Sequence, residues 1–216
     1  MNFLKNAGTH KILSIMTGIN GETPLQLIEL AGRTAYQSRD KITEDSARKF
    51  VQSLIKNGHE SVLEHSGLTV EFNNVSIGMT RELCRHRLIS ITEKSTRYVS
   101  EKDFNFVLPP NLPTIETEWM TSVLDMIEGV YRDLRKLKVP AQDARQILSL
   151  ATVSQIVVSA NFREWRHILK LRIHANSHWE IRGVMTSLLK DLKERIPVVF
   201  DDINVETNEK QRQETL

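Results

Sequence analysis

Residues 85–98 read RHRLISITEKSTRY, the densest run of polar and charged side chains in the chain. This stretch lies between a predicted helix and a predicted extended segment. If its backbone is extended, Arg85 and Arg87 share one face and His86 takes the other, whereas in a helix the two arginines would point about 200° apart. An extended backbone here could therefore present two guanidinium groups to one anion and an imidazole to a second ligand.

Further anion ligands follow within the same stretch. Arg97 adds a third guanidinium fork. Neutral donors suited to phosphate or to the edge of a pyrimidine come from the hydroxyl groups of Ser90, Thr92, Ser95 and Thr96. A solvated basic loop is the simpler interpretation, because runs of charge usually lie on the surface. From these residues alone, a nucleotide or phosphate site and a surface loop both remain open.

The rest of the chain predicts a mixture of helices and strands. Thr23 and Pro24 open one helix toward Tyr36, and Thr43 is the predicted N-cap of a second helix that Gly58 stops. Further helices are predicted over 76–85, 119–137, from Pro140, and over 162–171 and 179–195, and strands over 11–16, 68–72, 104–108 and 153–159. We expect a single α/β (α+β) domain over 1–200 and a polar, frayed tail over 201–216.

Composition limits the classes of partner. With 40% hydrophobic and 26% charged residues, 216 residues suffice for one globular domain with a sizeable core. The net charge of +2 gives no global field that would attract nucleic acid or an anionic membrane. A single cysteine, Cys84, excludes an intramolecular disulfide framework, and no stretch has the length and apolar character of a membrane span or signal peptide. We expect a cytoplasmic protein that binds neither nucleic acid nor membrane.

The sequence gives little support for a metal site, a Rossmann-type nucleotide-binding loop or a catalytic thiolate. HESVLEH, residues 59–65, resembles the zinc pattern H-E-x-x-H, but Leu63 stands where the second histidine should be, so no metal site is expected. The chain has no G-x-G-x-x-G or Walker A loop. Cys84 could be a nucleophile if Arg85 and His86 lowered its pKa. We expect instead that it packs in the interior, as a helical cysteine beside Leu83 commonly does.

A family resemblance rests on several of these segments. Arg85-His86-Arg87, seven residues, and then Ser95-Thr96-Arg97 match the Arg-His-Arg, seven residues, Ser-x-Arg motif of the flavin-dependent thymidylate synthases, also called thymidylate synthase complementing proteins. NGHESVLEH (57–65) and AGRTAYQS (31–38) resemble two upstream elements of that family. Downstream matches in the family's order are Asp143-Ala144-Arg145, Asn161-Phe162-Arg163, Leu171-Arg172 and Trp179-Glu180-Ile181-Arg182. The resemblance spans roughly residues 30–185.

This resemblance implies a fold and a reaction. The fold is a central, largely antiparallel sheet flanked by helices, one of them long. The reaction is the reductive methylation of dUMP to dTMP, with FAD as hydride carrier and with NADPH and methylenetetrahydrofolate as co-substrates. The family also implies a homotetramer whose sites are shared between subunits.

Roles are carried over by resemblance, residue by residue. The FAD site is expected to comprise His59, Ser61, Glu64, Arg85, His86, Arg87, Leu88, Glu93, Asn161, Arg163 and His167. The dUMP site is expected to comprise Glu82, Arg85, Glu93, Lys94, Ser95, Thr96, Arg97, Arg145 and Arg172. Arg172 is the expected catalytic residue, because a guanidinium that is charged at any working pH can stabilise the developing uracil anion. Without the resemblance, Asn161 is an ordinary helix cap, and Arg145, Arg163 and His167 are surface residues.

Two positions depart from the family's pattern. Glu82 stands where Gln is usual, which places an extra acid where an anionic substrate should lie. Asn176 stands where a histidine is common.

Two other functions are weighed against this one. The first is a related enzyme that installs another one-carbon group, such as hydroxymethyl, on a pyrimidine nucleotide, and the second is a nucleic-acid-binding module. The module is disfavoured because aromatic residues make up only 6% of the chain and its charge is balanced.

Overall fold

A computed structural model describes residues 2–5, 8–98 and 104–205. The strands in these ranges are β1 (Asn2–Lys5), β2 (Thr9–Ile15), β3 (Gly67–Ser76), β4 (Ser90–Glu93), β5 (Asn105–Leu108) and β6 (Val153–Asn161). The α-helices are α1 (Pro24–Ala35), α2 (Ser46–Lys56), α3 (Ile77–Leu83), α4 (Thr114–Lys136), α5 (Ala141–Ala144), α6 (Phe162–Arg172) and α7 (Trp179–Arg195). Short 3-10 helices cover Arg39–Lys41, Glu60–His65 and Arg145–Ile147. Each long helix and strand predicted from the sequence within these ranges is present.

The main sheet has the strand order β2-β3-β6-β4. Met16 N–H donates to Gly67 O at 2.8 Å and the Thr9 hydroxyl donates to Asn73 O at 3.4 Å, so β2 and β3 run antiparallel. Hydrogen bonds near opposite ends of β3, from Phe162 N–H to Ser66 O and from Ile77 N–H to Thr152 O, make β3 and β6 antiparallel as well. The mixed α/β fold with a largely antiparallel sheet is confirmed. A separate two-stranded sheet pairs β1 with β5 in parallel.

The chain divides into two compact units, each with its own buried residues. Unit 1 comprises residues 1–9, 71–87 and 91–157, and unit 2 comprises 10–70, 88–90 and 158–216. In unit 1 one face of α4 packs on β5, where Phe104 meets Phe106 at 5.8 Å and Tyr131 at 5.2 Å between ring centroids. In unit 2 the indole N–H of Trp165 donates to Leu68 O at 3.1 Å, and Phe162 meets Phe200 edge to face. These contacts fix α4 and α6, which carry the features considered below.

Several element boundaries differ from their predictions. Thr43 is not the N-cap of α2: the Ser46 hydroxyl accepts from Thr43 N–H at 2.9 Å and donates to Glu29, so residues 43–46 form a turn and the helix starts at Ser46. Pro140 lies just before α5 rather than inside it. The long helix starts at Thr114 instead of 119, because Pro113 supplies a helix start that the apolar pattern does not mark.

Two further regions also differ from their predictions. β4 lies in the stretch interpreted as a loop; all four of its residues are exposed, so apolar alternation does not reveal this edge strand. In the predicted tail, Asp202 binds a buried arginine and Ile203 is buried, so these residues are packed in unit 2. Residues 206–216 lie outside the described ranges. None of the helices described has both the length and the apolar character needed to cross a membrane.

Candidate active site

The Arg-His-Arg motif lies directly beyond a short, capped helix. The Ser76 hydroxyl accepts a hydrogen bond from Met79 N–H at 3.0 Å and starts α3, which ends at Leu83. The motif therefore has no helical constraint. Arg85 and Arg87 are exposed while His86 is only 6% exposed, which is the alternation predicted for a non-helical segment. Two guanidinium groups of unit 1 are thus available to ligands at the surface.

Glu93, at the end of β4, is held by two hydroxyl groups. Its Oε1 accepts hydrogen bonds from Thr80 Oγ1 at 2.8 Å and from Ser154 Oγ at 2.9 Å. Lys94 N–H donates to Gln155 O at 2.9 Å, which ties the following residue to β6. These bonds place Glu93 and the start of the next loop on a regular sheet edge. Thr80 and Ser154 were not expected as supporting residues.

Cys84 does not have the interior position expected for it. The thiol follows α3 and is exposed. Partial burial, and then the nearby charge of Glu93, raise the pKa of Cys84. A raised pKa lowers the thiolate fraction at neutral pH, so the residue is poorly suited to nucleophilic attack.

The loop that follows β4 meets the segment around α5. Arg145 Nη1 donates to Thr96 Oγ1 at 3.4 Å, across 49 residues of sequence. Arg97 Nε donates to Gln142 Oε1 at 3.2 Å, and the Arg97 guanidinium lies 5.1 Å from the centroid of the Tyr98 ring. Both arginines and Thr96 belong to the expected dUMP site, so unit 1 brings these three together. We call Thr96, Arg97, Gln142 and Arg145 the loop cluster.

Unit 2 contains a cleft of about 770 Å³ beside α6. It is lined by Glu60, Glu64, Leu88, Asn161, Arg163, Glu164, His167 and Lys170. Five of these residues were expected in the FAD site: Glu64, Leu88, Asn161, Arg163 and His167. Its volume lies within the roughly 300–1,000 Å³ of small-molecule sites. The cleft is the largest grouping of expected cofactor ligands within one unit of the described structure.

The first turn of α6 forms one wall of the cleft. Asn161 Oδ1 accepts from Glu164 N–H at 2.9 Å, so Asn161 caps the helix as well as lining the cleft. Arg163 Nη1 binds Glu64 Oε1 at 2.5 Å, and this hydrogen bond, followed by the charge of Glu64, raises the pKa of Arg163. Both side chains of the pair are about half exposed, so water screens their attraction. An incoming anion can therefore compete with Glu64 for the guanidinium.

A buried ion-pair network lies behind this wall. The Arg166 side chain is 1% exposed and binds Glu60 Oε1 through Nη2 at 2.9 Å. It also binds both carboxylate oxygens of Asp202, at 2.6 and 2.8 Å, and donates to Val199 O. Burial acts to raise the pKa of Asp202, but the hydrogen bond and charge of Arg166, with Lys170, outweigh it and hold that pKa below its usual range. We call Arg166, Glu60 and Asp202 the Arg166 network.

Comparison with known proteins decides the family. A sequence profile described as "Thymidylate synthase complementing protein" matches residues 18–198. The chain belongs to this family. Flavin-dependent thymidylate synthases of Corynebacterium efficiens and Mycobacterium tuberculosis are 34% and 35% identical to it over 200 residues, covering 84% of this chain and 80% of each relative. The resemblance inferred from the motifs is thereby confirmed.

A solved structure shares the fold of this member of the thymidylate synthase complementing protein family. A UMP/dUMP methylase from Streptomyces cacaoi, crystallised with 5-Br dUMP, superposes with a TM-score of 0.78 over 93% of this chain and 95% of the other. The two sequences are 22% identical, so the likeness concerns the fold alone.

The remaining expected residues lie outside the described cleft lining and the loop cluster. His59 and Ser61 are exposed at the 3-10 helix Glu60–His65 and are absent from the cleft lining described above. Arg172 is the last residue of α6, half-buried in unit 2, and Glu82 is half-buried in α3 of unit 1. Ser95 accepts from Arg97 N–H at 3.3 Å and so shapes the loop of this family member.

Sequence reasoning missed several residues of the two groups. Glu60, Glu164 and Lys170 line the cleft, and Gln142 holds Arg97. Helical spacing could have found Lys170, which is three residues after His167 on the same face of α6. The pairing of Gln142 with Arg97 depends on tertiary structure, and no local sequence pattern predicts it.

Proposed function

We propose that this chain catalyses the reductive methylation of dUMP to dTMP, with methylenetetrahydrofolate as carbon donor, NADPH as reductant and FAD bound in the cleft. The observation that carries the proposal is the meeting of Thr96, Arg97 and Arg145, from segments 49 residues apart, within a chain of the flavin-dependent thymidylate synthase family. Two arginines and a hydroxyl at one place are the ligands that a nucleotide phosphate requires.

The cleft of unit 2 fits FAD by the chemistry of its donors. Arg163 and Lys170 supply positive charge for a diphosphate. Asn161 and His167 supply hydrogen-bonding groups, and the exposed Leu88 supplies an apolar contact for a ring. When bound there, FAD supplies hydride chemistry to the reaction. Arg163 exchanges Glu64 for the cofactor's phosphate at little cost, because their ion pair is exposed.

The protein's own residues bind the nucleotide and stabilise charge. Arg97 and Arg145 neutralise the phosphate of dUMP, while Ser95, Thr96 and Lys94 add donors along the loop. Arg172 stabilises the negative charge that develops on the uracil ring, because a guanidinium group carries its charge without any proton transfer. Glu82 faces the sugar and accepts a hydrogen bond from the 3′-hydroxyl, where the family's Gln also offers an acceptor.

The assembly we propose is a homotetramer that completes each site with residues from neighbouring chains. The cleft beside α6 has the volume of one small-molecule site, which is less than FAD, a nucleotide and a folate together require. Additional walls from a second chain supply what one chain lacks.

A product assay tests the proposal. Purified protein with FAD, NADPH, methylenetetrahydrofolate and dUMP should yield a product with the mass of dTMP, and dCMP in a parallel reaction should give none. A product sixteen mass units heavier than dTMP would assign hydroxymethyl transfer instead. Turnover of dCMP without turnover of dUMP would show that dUMP is not the substrate.

A further inference from the structure

One face of α4 carries large apolar side chains that are open to solvent. Trp119 is 70%, Met126 68% and Leu137, directly after the helix, 77% exposed. The full row is Ile115, Trp119, Val123, Met126, Val130 and Leu137. Spacings of three, four and seven place these residues in one stripe along the helix. We call this row the α4 stripe.

The α4 stripe is separate from the face that builds the core of unit 1. Leu124 and Tyr131 are buried against β5 on a different side of the helix. An amphipathic helix needs one apolar face, and this helix has two. Among the described residues, none covers the second face.

The exposed area suits a protein interface. The six side chains present roughly 700 Å² of largely apolar surface, close to the ~800 Å² that each partner contributes to a standard interface. Monomeric proteins rarely leave so large a contiguous apolar patch in water. Burying it against a partner of matching shape is therefore favourable.

The charges of α4 identify that partner. The charged residues of its first half are all acidic (Glu116, Glu118 and Asp125), and basic residues outnumber acidic ones in its second half (Arg132, Arg135 and Lys136). The two acids of the second half are paired within the helix, the buried Glu128 with Arg132 at 2.6 Å and Asp133 with Lys136 at 2.9 Å. A second α4 that runs antiparallel places each acidic half against a basic half, whereas a parallel one places halves of the same charge against each other. Antiparallel helices also oppose their macrodipoles.

We propose that the α4 stripe packs antiparallel on the α4 stripe of a second copy of this chain, around a two-fold axis at Met126. Met126 is the midpoint between Ile115 and Leu137. In such an isologous contact the residue at the axis meets its own copy, and each end of the stripe meets the opposite end. This inference rests on the proposed homotetramer and names one of its interfaces.

Mass measurement of charged variants tests the interface. Met126→Glu places two carboxylates against each other at the axis, and light scattering should show the mass falling to half that of the wild type. Met16→Glu is the matched control, because Met16 is an exposed methionine of unit 2 (55% exposed) and its variant should keep the wild-type mass. A monomeric wild type, an unchanged mass for Met126→Glu, or an equal fall for Met16→Glu would overturn the proposal.

Cysteine cross-linking tests the direction, even if a charged variant folds poorly. In a Cys84→Ser background, Met126→Cys should form a covalent dimer on mild oxidation. Leu137→Cys alone should not, because it lies about 16 Å from the axis along the helix and a disulfide needs Cα atoms within about 7 Å. A mixture of Ile115→Cys and Leu137→Cys chains should cross-link. Cross-linking of Leu137→Cys alone would overturn the antiparallel arrangement. These readouts are independent of dUMP turnover, so they fail separately from the proposed function.

Discussion

The loop cluster and the cleft wall are held in place by different kinds of contact. In the loop cluster, hydrogen bonds of 3.2 and 3.4 Å join Arg97 to Gln142 and Arg145 to Thr96 at the surface. In the cleft wall, a buried Arg166 binds two carboxylates and a carbonyl behind the first turns of α6. Long, solvated bonds constrain side chains weakly, whereas a buried charge with several partners constrains them strongly. We therefore expect the cleft to be formed before a ligand binds, and the loop cluster to become more ordered when a ligand binds.

The largest expected effect concerns the charge at the end of α6. Arg172→Ala should lower turnover by about 10²–10³-fold, or roughly 3 to 4 kcal/mol, because it removes a preorganised positive group from the uracil anion. Cys84→Ala should keep most of the turnover, since the proposed route uses no thiolate and the pKa of Cys84 is raised. Steady-state kinetics of both variants checks this. An inactive cysteine variant beside an active arginine variant would reverse the roles.

A smaller effect is expected for stability, and it tests the contrast between buried and exposed ion pairs. Arg166→Met leaves Glu60 and Asp202 without their main cation and should lower the free energy of unfolding by about 3 kcal/mol, the lower end for a broken buried pair because both acids are partly exposed. Arg163→Met breaks only the exposed pair with Glu64 and should leave stability nearly unchanged. Urea denaturation measures both. Equal losses would contradict the distinction.

The Arg166 network also predicts a pH dependence. The pKa of Asp202 is lower in the folded chain than in the unfolded one. Its contribution to stability is thus fully present above the unfolded value of about 3.9 and is lost as the pH falls through the folded value. Between pH 5 and pH 2, Asp202→Asn should lose less unfolding free energy than the wild type does. A wild-type loss no steeper than that of Asp202→Asn would exclude this role.

The family resemblance, more than local patterns, located residues of the candidate site. Asn161, Arg163 and His167 were expected only by resemblance, since local patterns favoured a helix cap and two surface residues, and all three line the cleft. The motif from Arg85 to Arg97 located the loop that meets Arg145. The same local patterns predicted the long helix and the paired strands.

Features made by distant contacts were not predictable in this way. Arg166 meets Glu60 across 106 residues and Asp202 across 36, so its burial has no local signature. β4 is an exposed edge strand whose pairing with β6 cannot be seen in its own four residues. Cys84 was expected inside because of its neighbour Leu83, but the helix ends between them and turns the thiol outward.

Separate binding titrations of FAD and dUMP test most directly whether the cleft binds FAD and the loop cluster binds dUMP. Arg163→Ala should weaken FAD binding, followed by flavin absorption without dUMP, while leaving dUMP affinity close to that of the wild type. Arg145→Ala should weaken dUMP binding, measured by calorimetry, and leave the flavin spectrum and affinity unchanged. The assignment of FAD to the cleft and dUMP to the loop cluster is wrong if each variant weakens the binding of both ligands equally. It is also wrong if Arg163→Ala weakens only dUMP binding and Arg145→Ala weakens only FAD binding.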